Sequence, residues 1–328
     1  MEKCMNDSDA FVDESLQGII KAYPSFYRFA KEDARGVIYN GNTSRKVKIV
    51  TGGGYGHLPL FLGYVGEALC DGIAVGNVFT SPSSDTILNV AREMNTDQIL
   101  FLFGNYFGDT MNFEMAEEML EIEGICARIL KGADDIASSD RPEERRGIAG
   151  ILFAYKIAGA AANQGLDLTQ VVEVTQKALS RISSLGVAFS SCRLPGAERP
   201  IFELEEKEME IGMGIHGEPG ISRSGRMSSR ELAECLVEKC VADQKIEKDD
   251  RIAVLVNGLG STSREELFIL FHDMEKIFSA RGIEVAKTYV GEYVTSMEMA
   301  GISLSVMRLD GELEELLKVP AHSPFVTL

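Results

Sequence analysis

A chain of 328 residues is too long for one ordinary core, so two domains are the expectation. It is 45% hydrophobic and 25% charged, as soluble globular proteins are, and its net charge of −17 repels nucleic acid and anionic membranes. The best apolar run, 148–162, is broken by Lys156 and falls short of the roughly 18 residues that span a bilayer.

Residues 1–7 do not read as a signal peptide, and the six cysteines (4, 70, 126, 192, 235 and 240) have no CxxC spacing. They read as reduced thiols of a cytoplasmic protein.

In chain order, residues 46–50 form a strand that runs into Gly52-Gly53-Gly54-Tyr55-Gly56-His57. Four glycines in five positions let the backbone turn sharply and approach a ligand closely, and the loop ends on a titratable imidazole. A tight turn with a structural histidine explains the same residues equally well. Strands are expected at 72–79, 98–103 and 125–130, and helices at 83–94 (opened by Ser83 and Ser84) and 109–123, with acidic residues on the outside of the latter. This alternation predicts a layered sheet with helices on both sides.

The Ala/Gly-rich stretch 147–164 reads as a closely packed helix of the interior or an interface, and 168–183 as an amphipathic helix. A shift to Ser, Gly and Pro over 185–200 places the boundary between an N-terminal domain (1–184) and a C-terminal one (185–328). Beyond it, short strands are expected at 186–190, 201–204 and 209–215, then helix 228–242, strand 251–256, helix 262–280 with Thr262 and Glu265 as a capping box, and strands 283–290 and 302–308. The fold class is therefore α/β: two α/β domains with mixed sheets flanked by helices.

Two of the four histidines sit alike. His57 follows one glycine loop, and His216 lies in Gly212-Met213-Gly214-Ile215-His216-Gly217-Glu218-Pro219-Gly220. One in each half suggests a cleft lined from both sides. His272 and His322 read as surface or packing residues. Asp109, where the strand 98–103 hands over to a helix, is either an N-cap or a carboxylate facing the ligand crevice, and the two roles are compatible. The glycine loop lacks Gly-Lys-Ser/Thr, and 257–262 lacks the third glycine of G-x-G-x-x-G, so no nucleotide site is expected on this chain. Neither a metal-ligand cluster nor a Gly-x-Ser-x-Gly elbow is present in the sequence.

With GGGYGH, the segment 76–83, NYFGD, 146–150, 156–160, GMGIHGEPG, 256–260 and Thr295-Ser296-Met297-Glu298-Met299-Ala300-Gly301, the chain resembles the dihydroxyacetone-binding K subunit of dihydroxyacetone kinases, in the family's order from about residue 15 onward. The resemblance implies that His216 bonds to the carbonyl carbon of dihydroxyacetone as a hemiaminal. It further implies that Asp109 accepts the proton of the attacking hydroxyl, that His57 hydrogen-bonds the substrate and assists proton transfer, and that Gly54, Tyr55 and Gly56 shape the pocket. Glycerol, with no electrophilic carbon, should be rejected. No cofactor is expected on this chain. Since it ends at Leu328, a separate helical nucleotide-binding L-type subunit carrying ADP or ATP with magnesium is expected to dock over the substrate, recharged from phosphoenolpyruvate through the phosphotransferase system, and a homodimer is expected.

Three positions depart from the family pattern. Gly104 stands where a lysine is usual, Leu58 replaces a glutamate, and Tyr55 replaces a small residue and is expected to reshape the pocket. These leave two alternatives: a kinase subunit for another short ketose such as erythrulose, or a non-catalytic coactivator that senses dihydroxyacetone.

Overall fold

The computed structural model describes residues 3–41 and 44–328. Helix α1 (Phe11–Ala22) leads into the hairpin β1 (Tyr27–Ala30) and β2 (Asp33–Tyr39), followed by β3 (Val47–Tyr55), β4 (Gly72–Val78), α2 (Ser84–Arg92), β5 (Gln98–Gly104), α3 (Phe107–Ile122) and β6 (Cys126–Gly132). The six strands make one mixed sheet in the order β1-β2-β4-β3-β5-β6; β4, β3, β5 and β6 are parallel, with the antiparallel hairpin on the edge. The chain passes from β3 to β4 on one side and returns to β5 on the other. The direction of winding therefore reverses at β3 and β5, and a crevice opens beyond their carboxyl ends.

Helices α4 (Ile151–Asn163) and α5 (Leu168–Leu179) connect to β7 (Ile182–Ala188), after which come β8 (Glu208–Ile211), β9 (Ser222–Gly225), α6 (Ser229–Gln244), β10 (Arg251–Gly258), α7 (Arg264–Ala280), β11 (Glu284–Gly291), β12 (Gly301–Arg308) and α8 (Gly311–Lys318). These strands form a second six-stranded mixed sheet, β11-β10-β12-β7-β8-β9, in which only β10 and β11 run parallel. The chain thus has the α/β architecture, two mixed sheets flanked by helices, that its pattern predicts. The 184/185 position lies inside β7.

Helix α4 is buried along nearly its whole length, in one apolar cluster with Ile49 and Leu102 of the first sheet and Leu255 and Met307 of the second. Its small residues are needed for this: a Cβ on Gly159 would lie 2.0 Å from the carbonyl oxygen of Ala68. Lys156, fully buried in α4, donates to the carbonyl of Val319 at the end of α8. Burial, with Lys287 nearby, lowers its ammonium to about 8.

Several local expectations are corrected. Residues 201–204 pair with no strand; Ile201, Phe202 and Leu204 are apolar because they cover a small cluster of Ala188, Cys192, Met213, Leu259 and Met299. The strand expected over 209–215 stops at Ile211, where Gly212 turns with φ of 82°. The helix expected to reach 183 ends at Leu179, since Ile182 onward pairs with β12. The capping box of α7 is Ser263 with Glu266, not Thr262 with Glu265. Thr262 is occupied elsewhere: its hydroxyl bonds both backbone groups of Gly301, at 2.8 and 2.9 Å. The outside of α3 is not only acidic. Phe107, Met111, Met115, Met119 and Ile122 form an exposed apolar ridge, with Phe107 83% exposed.

The six cysteines are free. No helix of the described residues is long and apolar enough to cross a membrane.

Candidate active site

The two glycine-bracketed histidines meet. His57, just beyond β3, and His216, in the turn after β8, have ring centroids 4.8 Å apart at 72°. The glycine loop makes this approach possible. A Cβ on Gly54 would lie 2.7 Å from the amide nitrogen of Thr80, and Gly56 takes φ of 106° with Phe79 and Met297 at its face. His57 is consequently buried, 1% exposed, and stacked flat on Phe79 at 4.7 Å and 10°.

Hydrogen bonding fixes the protons on both rings. His57 Nδ1 lies 2.7 Å from the carbonyl oxygen of Thr295. A carbonyl only accepts, so Nδ1 carries the hydrogen and Nε2 the lone pair. That Nε2 is buried with no partner in the protein. Burial and the neighbouring His216 lower the imidazole to about 3, so His57 stays neutral at ordinary pH.

His216 is anchored by Glu218, whose carboxylate accepts from the His216 backbone N–H at 2.9 Å and lies 3.2 Å from Nδ1. Burial alone would raise the Glu218 carboxyl; the hydrogen bond from His216 and Arg146, 3.8 Å away, outweigh it and hold the group near 2. An ionised carboxylate has no proton to give. Nδ1 is therefore the donor, and in the neutral ring the lone pair falls on His216 Nε2. Glycine at 214 leaves room for this clasp, because a Cβ there would fall 2.2 Å from Glu218 Oε2. Arg146 is steadied in turn by Asp135 at 2.8 Å.

Asp109 is not the N-cap of α3. That position belongs to Tyr106, which makes no side-chain cap, and Asp109 sits in the first turn. The residue is 7% exposed, with Oδ1 buried and unpartnered. Burial raises it to about 6, against the pull of Ser81 and His216. Such a carboxyl exchanges protons near neutrality, as a general base requires.

Tyr55 does not face this cluster. Its hydroxyl is 2.5 Å from Ser15 Oγ and its ring packs edge-on to Phe11, both on α1. The expectation that it reshapes the pocket is corrected on that geometry. Gly104, at the end of β5, lies under Tyr106: a Cβ there would meet the Tyr106 ring at 3.2 Å. Tyr106 donates to the carbonyl of Gly147 at 3.0 Å and presents its ring edge-on to His216, 4.7 Å away. Leu58 contributes its carbonyl, which accepts from Thr295 Oγ1 at 2.9 Å. His272 and His322 are exposed, away from the cluster. Phe79, Tyr106, Glu218 and Thr295 were not singled out from the sequence. Only Glu218 had a local signal, lying two residues from His216 in a glycine-rich turn.

Among the described residues no group of three His, Cys, Asp or Glu side chains could hold a metal ion. The 257–262 loop is used internally: the amides of Leu259 and Ser261 donate to Gly301 and Met299, so they do not cradle phosphate.

Two glycine-bracketed imidazoles thus meet ring to ring, and the Dak1 domain family matches residues 17–325. The chain belongs to the Dak1 family. It is 43% identical over 329 residues to the D-erythrulose kinase of Mycolicibacterium smegmatis, a match covering 99% of this chain and 56% of that protein. It is 38% identical over 327 residues to the dihydroxyacetone-binding subunit of PTS-dependent dihydroxyacetone kinase 2 of Listeria innocua, covering 99% of each. Its structure superposes on a dihydroxyacetone kinase operon co-activator with a TM-score of 0.88 at 31% identity, over 94% of this Dak1 chain and 96% of that one. The chain thus spans just over half of the erythrulose kinase and nearly the whole of the Listeria subunit.

Proposed function

We propose that this chain is the substrate-holding subunit of a dihydroxyacetone kinase. The observation that carries the reading is the Glu218–His216 clasp, which leaves His216 Nε2 as a nucleophile with the His57 ring 4.8 Å away and the buried Asp109 carboxyl within its electrostatic reach.

In this reading His216 Nε2 bonds to the carbonyl carbon of dihydroxyacetone. The C=O electron pair moves onto oxygen, which takes a proton from water, while the Nδ1 proton passes along its hydrogen bond to Glu218 and on to solvent, so no net proton is gained; the product is a neutral hemiaminal. Covalent capture selects ketones and aldehydes and passes over glycerol. His57 Nε2 accepts a hydrogen bond from a substrate hydroxyl. Asp109 takes the proton of the hydroxyl whose oxygen attacks phosphorus as the bond to the leaving group breaks. Gly54 and Gly56 supply bare backbone to the pocket, and Gly104 with Tyr106 bounds its other side.

A helical L-type subunit carrying ADP or ATP with magnesium delivers the phosphoryl group and is recharged from phosphoenolpyruvate through the phosphotransferase system. The PTS-dependent Listeria relative supports that donor. The exposed apolar ridge of α3, which begins two residues before Asp109, supports a protein partner over the site. We further infer a homodimer working in the cytoplasm, a setting that keeps six free cysteines reduced.

Erythrulose is the second reading for the substrate. Gly104 and Tyr106 in place of a basic side chain, with the 43% identity to an erythrulose kinase, favour it. A phosphorylation assay with the cognate helical subunit, comparing dihydroxyacetone, glyceraldehyde and erythrulose, tests both. Transfer to dihydroxyacetone is expected; transfer to erythrulose alone selects the second reading. Binding of dihydroxyacetone without transfer to any ketose would make the chain a coactivator instead.

A further inference from the structure

The segment 293–297 has no part in the chemistry above, yet it bonds His57 and the residue before His216. Thr295 accepts the Nδ1–H of His57 at 2.7 Å, and its amide donates to the His57 carbonyl at 3.2 Å. Met297 donates to Gly56 at 2.9 Å. The buried hydroxyl of Ser296 donates to the carbonyl of Ile215, next to His216, at 2.6 Å. One short strap from the second sheet therefore grips the glycine loop of the first sheet and the His216 turn together.

The start of the strap is clasped by a buried side chain, while the Tyr64 hydroxyl donates to the Tyr293 carbonyl at 3.2 Å. Asn257, fully buried at the end of β10, accepts from the amides of Tyr293 and Val294 at 2.9 Å each. It also donates to the Val294 carbonyl at 2.8 Å and to Ser303 Oγ at 3.1 Å. All four hydrogen-bonding capacities of the amide are filled. Aspartate at this place would keep the two acceptor bonds and lose both donor bonds. The titratable groups facing His57 are His216 and Glu218, and neither touches Nδ1, so the Thr295 carbonyl alone holds that proton.

We infer that Asn257 is a positioning residue: through the 293–297 strap it fixes the proton of His57 on Nδ1, so that the lone pair on Nε2 points at the substrate. This deepens the kinase reading and rests on it for the effect on turnover, but the tautomer is observable without any substrate. By the same geometry Ser296 positions the His216 turn and leaves His57 alone.

The test is nitrogen NMR on protein with 15N-labelled histidine, His57 being assigned by the signal lost in His57→Gln. Wild type should give a single tautomer, hydrogen on Nδ1, uncharged at pH 5. Asn257→Asp should turn His57 into a mixture of tautomers whose protonation midpoint moves up toward the ordinary histidine range, with kcat down about tenfold and KM changed less than threefold. Ser296→Ala should leave the His57 signal as in wild type. If Asn257→Asp does not fold, Ser303→Ala, which removes one of the four bonds, is read the same way, with a partial shift expected. A folded Asn257→Asp, or Ser303→Ala in its place, with the wild-type His57 spectrum overturns the proposal. A fixed tautomer in a protein that phosphorylates no ketose would sink the kinase reading and leave the strap standing.

Discussion

Glu218 takes two hydrogen bonds from a single residue, His216: one from its backbone amide at 2.9 Å and one from its ring Nδ1 at 3.2 Å. The first fixes where the residue sits and the second fixes which ring nitrogen is free. Glu218→Gln keeps the shape, but its amide can satisfy the imidazole in the wrong tautomer. Capture of the ketose should weaken by about a hundredfold, roughly 2.7 kcal/mol. Calorimetric titration of dihydroxyacetone into both proteins measures this; unchanged affinity would remove Glu218 from the site.

Asp109 carries a penalty that the fold sustains. Its carboxyl is lifted from 3.8 to about 6 by burial, so the folded state binds a proton more tightly than the unfolded one. Stability then falls as pH rises through that window. Asp109→Asn removes the buried charge and should be more stable at pH 7.5 by about 1–3 kcal/mol. It should keep ketose binding and lose phosphoryl transfer by at least about a hundredfold. In wild type, turnover should rise with pH through a midpoint near 6. Denaturant unfolding and a pH–rate profile are the two measurements, and full activity in the variant would eliminate the base.

His57 has the opposite sign. Its folded imidazole protonates near 3 against 6.5 when free, so the unfolded chain takes the proton first and stability is lost as pH falls below 6.5. By pH 5 that loss is about 2 kcal/mol. Unfolding curves of His57→Gln between pH 7 and pH 5 should lack this slope; an identical slope would mean that another group is responsible.

Tyr106 closes the side of the site where Gly104 has no side chain. Truncation in Tyr106→Ala should open that wall and raise kcat/KM for four-carbon relative to three-carbon ketoses by about 3- to 10-fold. Gly104→Ala should displace the ring that its new Cβ meets at 3.2 Å and weaken both substrates. Paired substrate kinetics decide it.

What could be read from the chain ahead of its structure follows the range of the forces involved. The strands β3 to β6 and β10 to β12 and the helix at 83–94, capped by Ser83, declare themselves through local apolar pattern and capping chemistry. His57, His216 and Asp109 stood out as glycine-bracketed or strand-terminal polar residues. The edge hairpin 27–39 was not anticipated, because its register comes from pairing with β4 rather than from its own pattern. Tyr106 and Thr295 escaped notice for a related reason. An aromatic near a strand end and a threonine in a loop carry no local signal, and their roles arise only when residues up to 238 positions apart meet. The pattern around Asp109 fits a cap as well as a site carboxylate; only the folded helix shows that the residue is buried in its first turn.

The most direct test is intact-mass spectrometry of the native protein with dihydroxyacetone. Wild type should gain the mass of one ketose in a labile adduct, and His216→Ala should gain none. An adduct of equal yield in His216→Ala, or none in wild type at millimolar ketose, would contradict the assignment of His216 as the residue that captures the carbonyl.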